Sequence, residues 1–250
     1  MSTEPPVFFT GLYYTKILIF VVKSRTVMLR FILAMFDMDG VLLDSMPRHV
    51  AAWSVRFRED YGLEIPAEDV YANEGRTSRS VIEILIKKYL GRDASPEEVE
   101  AMYRRKCATV DANGGMPPMP GAKEAVQAVR AKGMDAIVVT GSGHSKLLNF
   151  LSDAYPGLFR SEWMVCADDV VRCKPDPEPY LIGLRKAGNV PASEAVVVEN
   201  APLGIQSGKA AGCFVAAVNT GPLPDAVLWD AGADRVFHSL SELKEWIESL

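Results

Sequence analysis

Apolar positions along the chain follow two rhythms. A short, mostly apolar run over 31–35 reads as a buried strand and breaks abruptly into Asp37-Met38-Asp39-Gly40. Three stretches of helical period follow. Val50, Trp53, Ser54 and Phe57 share one face of a helix over 47–61, which Gly62 ends. Val81, Ile82, Leu85 and Ile86 make the stripe of a helix over 77–89, stopped by Gly91. Ser95-Pro96-Glu97-Glu98 carries a cap, a first-turn proline and early acids, and starts a helix reaching about Val110. Beyond the Gly- and Pro-rich segment 113–121 the rhythm changes. Helices predicted over 122–132, 144–152, 177–187, 203–211 and 240–249 alternate with short β-branched runs over 135–140, 163–166, 195–199, 214–219 and 235–237.

Alternation of this kind predicts an α/β fold with a doubly wound parallel sheet. The first strand lies before the helical block, so the block is an insertion and the expected architecture is a core with an inserted α-helical cap domain. The expected division is a core of residues 28–44 and 116–250 and a cap of residues 45–115. Residues 1–27 read as an upstream extension. Their apolar stretch over 7–22 is interrupted by Lys16 and too short for a membrane span, and no Lys or Arg precedes it as a signal peptide requires.

The 250 residues carry a net charge of -5 and no basic cluster, which argues against a nucleic-acid partner. Four cysteines without C-x-x-C spacing argue against structural zinc and a disulfide framework, and point to a reducing cytoplasm. No membrane partner is expected.

In open parallel sheets, ligands bind at the carboxyl ends of the strands. Those ends collect Asp37 and Asp39, then Thr140-Gly141-Ser142-Gly143, then the Lys174-Pro175 loop, then Glu199-Asn200. Paired acids at the end of a buried strand are costly unless a cation neutralises them, and an all-oxygen set suits Mg²⁺. Each group suits a task in phosphoryl transfer. Asp37 can attack phosphorus and Asp39 can carry a proton. Thr140 with the backbone around Gly141 and Ser142 can hold phosphate oxygens, and Lys174 can offset the crowded anions. Glu199 and Asn200 can offer oxygens to the metal. Taken singly, each motif also reads as turn or capping chemistry; their joint occurrence at one sheet edge is what favours a site.

With these four motifs in this order, the chain resembles the haloacid dehalogenase-like (HAD) phosphatase superfamily, in the branch with a helical cap after the first strand. The likeness spans about residues 32–238. It implies a Rossmann-like core, an aspartyl-phosphate on Asp37, acid and base work by Asp39, and Mg²⁺ held by Asp37, the Asp39 backbone carbonyl and the Glu199-Asn200 motif. Many relatives carry a second acid where Asn200 stands. Asp44-Ser45 with His49 and Trp53 is similar to β-phosphoglucomutase and its relatives. That likeness marks His49 as a candidate substrate contact, while Trp53 fits the cap's core.

The cap loop Asn73-Glu74-Gly75-Arg76-Thr77, with 199–204 and 219–223, looks similar to HAD-type inorganic pyrophosphatases. This resemblance implies that Glu74 enters the closed site and reaches the metal, with Arg76 beside the substrate. The expectation is a Mg²⁺-dependent phosphohydrolase, acting as a monomer on a small phosphorylated metabolite, with inorganic pyrophosphate favoured. The alternative is a β-phosphoglucomutase-like mutase or a sugar-phosphate phosphatase. A dehalogenase would need neither Asp39 nor the Glu199-Asn200 pair, and a non-enzymatic phosphate sensor would not need the intact Asp37 and Asp39.

Overall fold

A computed structural model describes residues 31–112, 117–142, 151 and 153–250, with the side chains of residues 111 and 112 left out. The expected extension over 1–27 and most of the helix expected over 144–152 lie outside the described residues.

Five parallel strands form one sheet: β1 (Leu33–Phe36), β2 (Asp135–Val138), β3 (Ala195–Glu199), β4 (Phe214–Val218) and β5 (Arg235–Phe237), in spatial order β2-β1-β3-β4-β5. The two central strands are buried along their whole length. Alternate residues serve opposite faces. Ala34 and Phe36 join Val196 and Val198 against α5 (Ala122–Ala131) and α9 (Leu240–Ser249). Leu33 and Met35 join Val197 against α6 (Glu178–Lys186), α7 (Pro202–Ala210) and α8 (Asp225–Asp230). A sheet covered on both faces explains why its strands read as continuous apolar runs rather than as alternation.

Between β1 and α5 come α1 (Met46–Tyr61), α2 (Ala67–Ala72), α3 (Ser78–Leu90) and α4 (Pro96–Ala112). Their apolar faces meet in a separate cluster that includes Trp53, Phe57, Ile82, Leu85 and Met102. Gly62 and Gly91 end α1 and α3 in the left-handed conformation, and the Thr77 side chain caps α3 by accepting from the Ser80 N–H. Phe31–Leu250 hangs together as one unit. Among the described residues no helix is long and apolar enough to cross a membrane.

The strand expected over 163–166 does not form. The chain makes a 3₁₀ turn at Ser161–Trp163, touches the sheet edge with one bridge between Val139 and Val165, and turns again at Ala167–Asp169. A turn on each side leaves room for one paired residue only. Two helices escaped the sequence pattern, α2 and α8, because six residues are too short to show a helical period.

Candidate active site

β1 delivers Asp37 at its carboxyl end, and β3 delivers Glu199 beside it. Both carboxylates are buried, and the buried Lys174 lies between them. Its Nζ donates to Asp37 Oδ1 at 2.5 Å, to Glu199 Oε1 at 2.6 Å and to the Val139 carbonyl at 3.2 Å. Two carboxylates hold the Lys174 ammonium well above its ordinary range despite burial. Desolvation lifts Asp37 to about 8 against the opposing Lys174 charge, with Glu199 and Asp39 adding to the rise. The protein's own groups therefore disfavour the ionised Asp37 that attack on phosphorus requires.

Asp39 stands in different surroundings. Its Oδ1 accepts from Ser45 at 2.5 Å and faces His49 Nε2 at 3.4 Å, and its Oδ2 accepts from Ser142 Oγ at 3.0 Å. Burial alone would raise Asp39, but the His49, Ser45 and Ser142 contacts together hold it well below the usual carboxylate range. Lys106 Nζ sits 3.0 Å from His49 Nδ1 and 3.4 Å from Ser78 Oγ. An ammonium can only donate, so Nδ1 accepts and the ring proton lies on Nε2, aimed at Asp39. His49 is thereby tied to Asp39, as part of a chain running out to α4.

The Glu199-Asn200 pair divides its work. Glu199 Oε1 accepts from Lys174 and, at 2.5 Å, from Tyr180; its Oε2 accepts from the Asn200 N–H at 3.2 Å. Both oxygens are engaged by protein donors, and the geometry makes Glu199 the charge partner of Lys174. Asn200 Oδ1, by contrast, is buried without a partner. A side chain at Gly204 would place its Cβ 2.0 Å from Glu199 Oε1, so the first turn of α7 needs glycine to seat this carboxylate.

The cap loop reaches the same place. Glu74 Oε2 accepts from Asn200 Nδ2 at 3.2 Å, and its buried Oε1 has no partner. Desolvation, then the Asp37, Asp39 and Glu199 charges, raise Glu74 well above its usual range. Arg76 Nε is likewise buried without a partner. Thr140 is buried at the end of β2, where its Oγ1 accepts from the Ser142 N–H at 3.1 Å; this turn aims the Ser142 hydroxyl at Asp39. Gly141 faces the cap loop, and a Cβ there would lie 3.6 Å from the Gly75 carbonyl.

Two carboxylates, Asp37 and Glu199, thus share one ammonium, with Asp39 and Glu74 close enough to Asp37 to feel its charge and two buried oxygens, Glu74 Oε1 and Asn200 Oδ1, unpartnered. Among the described residues no group of three His, Cys, Asp or Glu side chains forms a complete metal cage. The available set is mixed, an Asn oxygen and carboxylates beside backbone carbonyl, and an all-oxygen set suits a hard cation. A cleft lined by Arg130, Phe159 and Arg160 shares no residue with this cluster.

The model of the haloacid dehalogenase-like hydrolases matches residues 33–212, from β1 to just beyond α7. The chain belongs to this family. Within the HAD family it is 33% identical to hexitol phosphatase A of Escherichia coli over 210 residues, covering 84% of this chain and 91% of the relative. It is 30% identical to N-acetylmuramic acid 6-phosphate phosphatase of Pseudomonas aeruginosa over 226 residues, covering 84% and 91%. A solved Bacteroides vulgatus structure, named provisionally as a β-phosphoglucomutase, shares 39% identity with a TM-score of 0.80, covering 95% of this chain and 98% of that one. These likenesses agree with the β-phosphoglucomutase-like branch. They do not extend to an inorganic pyrophosphatase.

Two site residues had no signal in the sequence. Tyr180 lies on the apolar face of α6, and Lys106 sits in an Arg-Arg-Lys run that looks solvated. Only the fold turns these groups inward.

Proposed function

We propose that the chain is a Mg²⁺-dependent HAD phosphohydrolase of small phosphorylated metabolites, working through an aspartyl-phosphate on Asp37. The observation that carries this reading is the Lys174 ammonium set between Asp37 and Glu199, with Asp39 held separately by Ser45, Ser142 and His49. Asp37 attacks phosphorus and the bond to the leaving oxygen breaks. Asp39, ionised in the free chain, takes a proton from the phosphate monoanion as the substrate binds, passes it to the leaving oxygen, then takes one from the water that hydrolyses the acyl phosphate. Lys174 offsets charge on the transferring group, Glu199 positions Lys174, and the Thr140-Gly141-Ser142 turn borders the phosphate oxygens. Residues 45–115 act as the cap over a core of 28–44 and 116–250. Asp37, the Asp39 carbonyl, Asn200 Oδ1 and Glu74 Oε1 are the oxygens that would hold Mg²⁺. The cation supplies positive charge that keeps Asp37 ionised and polarises the phosphoryl group.

The relatives favour a sugar or polyol phosphate as substrate, since their names specify hexitol phosphates and N-acetylmuramic acid 6-phosphate. One observation favours a second reading, inorganic pyrophosphate. Glu74 enters the site as far as Asn200, and a metal-bound Glu74 beside the unpartnered Arg76 Nε would suit a small anionic leaving group.

The deciding experiment measures phosphate release with Mg²⁺ from hexitol phosphates, sugar phosphates and pyrophosphate. The expected result is release from the organic phosphates; a pyrophosphate kcat/KM above all of them selects the second reading. Interconversion of hexose phosphates without phosphate release would establish a mutase instead, and inertness toward the whole panel would refute the proposal.

A further inference from the structure

The segment Asn219-Thr220-Gly221-Pro222-Leu223 follows β4, and none of its residues has been given a role above. It is tied down at several points. The Asn219 side chain donates to the Leu223 carbonyl at 2.8 Å and to Asp225 Oδ1 at 2.7 Å, and its N–H donates to the Phe237 carbonyl at 2.7 Å. Thr220 Oγ1 donates to the Gly40 carbonyl at 2.7 Å, which links the segment to the loop carrying Asp39. Gly221 lies at its tip. Glycine is not demanded there by a left-handed backbone, since the positive-φ glycines do not include it. Space demands it: a Cβ would lie 2.6 and 2.7 Å from Cε1 and Cδ1 of Tyr71.

Tyr71 belongs to α2, on the cap side. Its side chain also packs, partly buried, against the cluster of Trp53, Phe57 and Ile82, so moving the ring costs that packing. Three residues on comes Glu74, whose N–H donates to the Tyr71 carbonyl at 3.2 Å. The Tyr71 backbone thus holds the turn that carries Glu74.

We infer that the 219–223 segment is the seat on which the cap docks, and that Gly221 and Tyr71 are a positioning pair that places Glu74 against Asn200. Neither residue touches the reacting atoms. The seat acts by fixing the height at which α2 and the 73–77 loop settle over the Asp37 pocket. A methyl group at 221 lifts the Tyr71 ring, and Glu74 is withdrawn with it.

The catalytic consequence rests on the proposed phosphohydrolase reading, but the docking itself does not, and the test separates them. Hydrogen exchange of the 72–79 segment is compared in the parent, Gly221→Ala, Tyr71→Ala, Tyr71→Phe and the Gly221→Ala/Tyr71→Ala double variant, with β3 as internal control. Gly221→Ala and Tyr71→Ala are expected to speed exchange over 72–79 roughly tenfold while β3 stays protected. Tyr71→Phe, which keeps the ring, should exchange like the parent. With the ring gone, Gly221→Ala should add nothing, so the double variant should match Tyr71→Ala. On an active substrate, Gly221→Ala should lower kcat/KM, and the same substitution should have no effect in the Tyr71→Ala background. Parent-like exchange in Gly221→Ala overturns the proposal, and so does an equal effect of that substitution with and without the ring. If Gly221→Ala does not fold, the contrast between Tyr71→Ala and Tyr71→Phe decides. Inactivity on every phosphate tested would leave the exchange comparison intact and count only against the enzymatic reading.

Discussion

A single lysine carries the electrostatics of the site. Lys174 holds together two buried carboxylates that would otherwise repel, and Tyr180 completes the arrangement by donating to Glu199. Tyr180→Phe removes a hydrogen bond to a charged acceptor and leaves the ring in place. It should lower stability by about 1.5–3 kcal/mol, read by chemical denaturation. A variant as stable as the parent would show that Glu199 is satisfied without the phenol. Asp37→Asn keeps the shape and Lys174 keeps Glu199 as a partner, so the fold should survive. Turnover should fall by roughly a thousandfold or more. A folded Asp37→Asn variant with parent-like turnover would remove Asp37 as the nucleophile.

At the scale of elements, the cap is braced by a charged knot on its outer side. Arg92, after α3, donates to both Glu98 oxygens at 2.8 and 2.7 Å, and Tyr61 at the end of α1 donates to Glu98 Oε1 at 2.5 Å. The Arg92 and Tyr61 hydrogen bonds pull Glu98 down to about 2 from an ordinary 4.5. A carboxyl lowered in the folded state stabilises fully above its unfolded value and loses that contribution as pH falls through the folded one. Glu98→Gln should therefore melt below the parent at pH 7, by a modest margin because the pair is partly exposed. The gap should close between about pH 4.5 and pH 2. A gap that does not depend on pH would mean that Glu98 acts through packing alone. The glycines at element ends work at the same scale: Gly204 makes room for the Glu199 carboxylate, and Gly40, left-handed at φ +81°, would drive a Cβ to 2.0 Å from Asn200 Nδ2.

For the whole molecule, the consequence is an excess of negative charge where core and cap loop meet. Asp37, Asp39, Glu74 and Glu199 lie together there, with Lys174 paired to Asp37 and Glu199, and the carboxylates of Asp37 and Glu74 are both raised. A cation that binds the folded chain and not the unfolded one must stabilise it. At a hundredfold excess over its Kd, Mg²⁺ should add about 2.7 kcal/mol, visible as a higher melting temperature. EDTA should abolish phosphate release and return the melting temperature to its starting value. Full activity in EDTA, or no thermal response to Mg²⁺, would exclude the metal role given to Asn200 and Glu74.

Local signals carried a long way here. The buried run before Asp37, the cap at Ser95, the terminating Gly62 and Gly91 and most of the strand–helix alternation after 121 act over a few neighbouring residues, and they were legible for that reason. The order of the four motifs pointed to the family on the same basis. The single-residue pairing at Val165, the two six-residue helices and the commitment of Glu199 to Lys174 and Tyr180 were not legible. Each depends on groups brought together from distant parts of the chain. The starting pair shows the division most clearly. Asp37 and Asp39 are two positions apart and chemically identical, so nothing local distinguishes them. Tertiary contacts separate them: desolvation raises Asp37 beside Lys174, while Ser45, His49 and Ser142 gather around Asp39 and hold it ionised. A residue's type and spacing follow from the chain alone; its protonation state is set by the dielectric and charges that folding places around it.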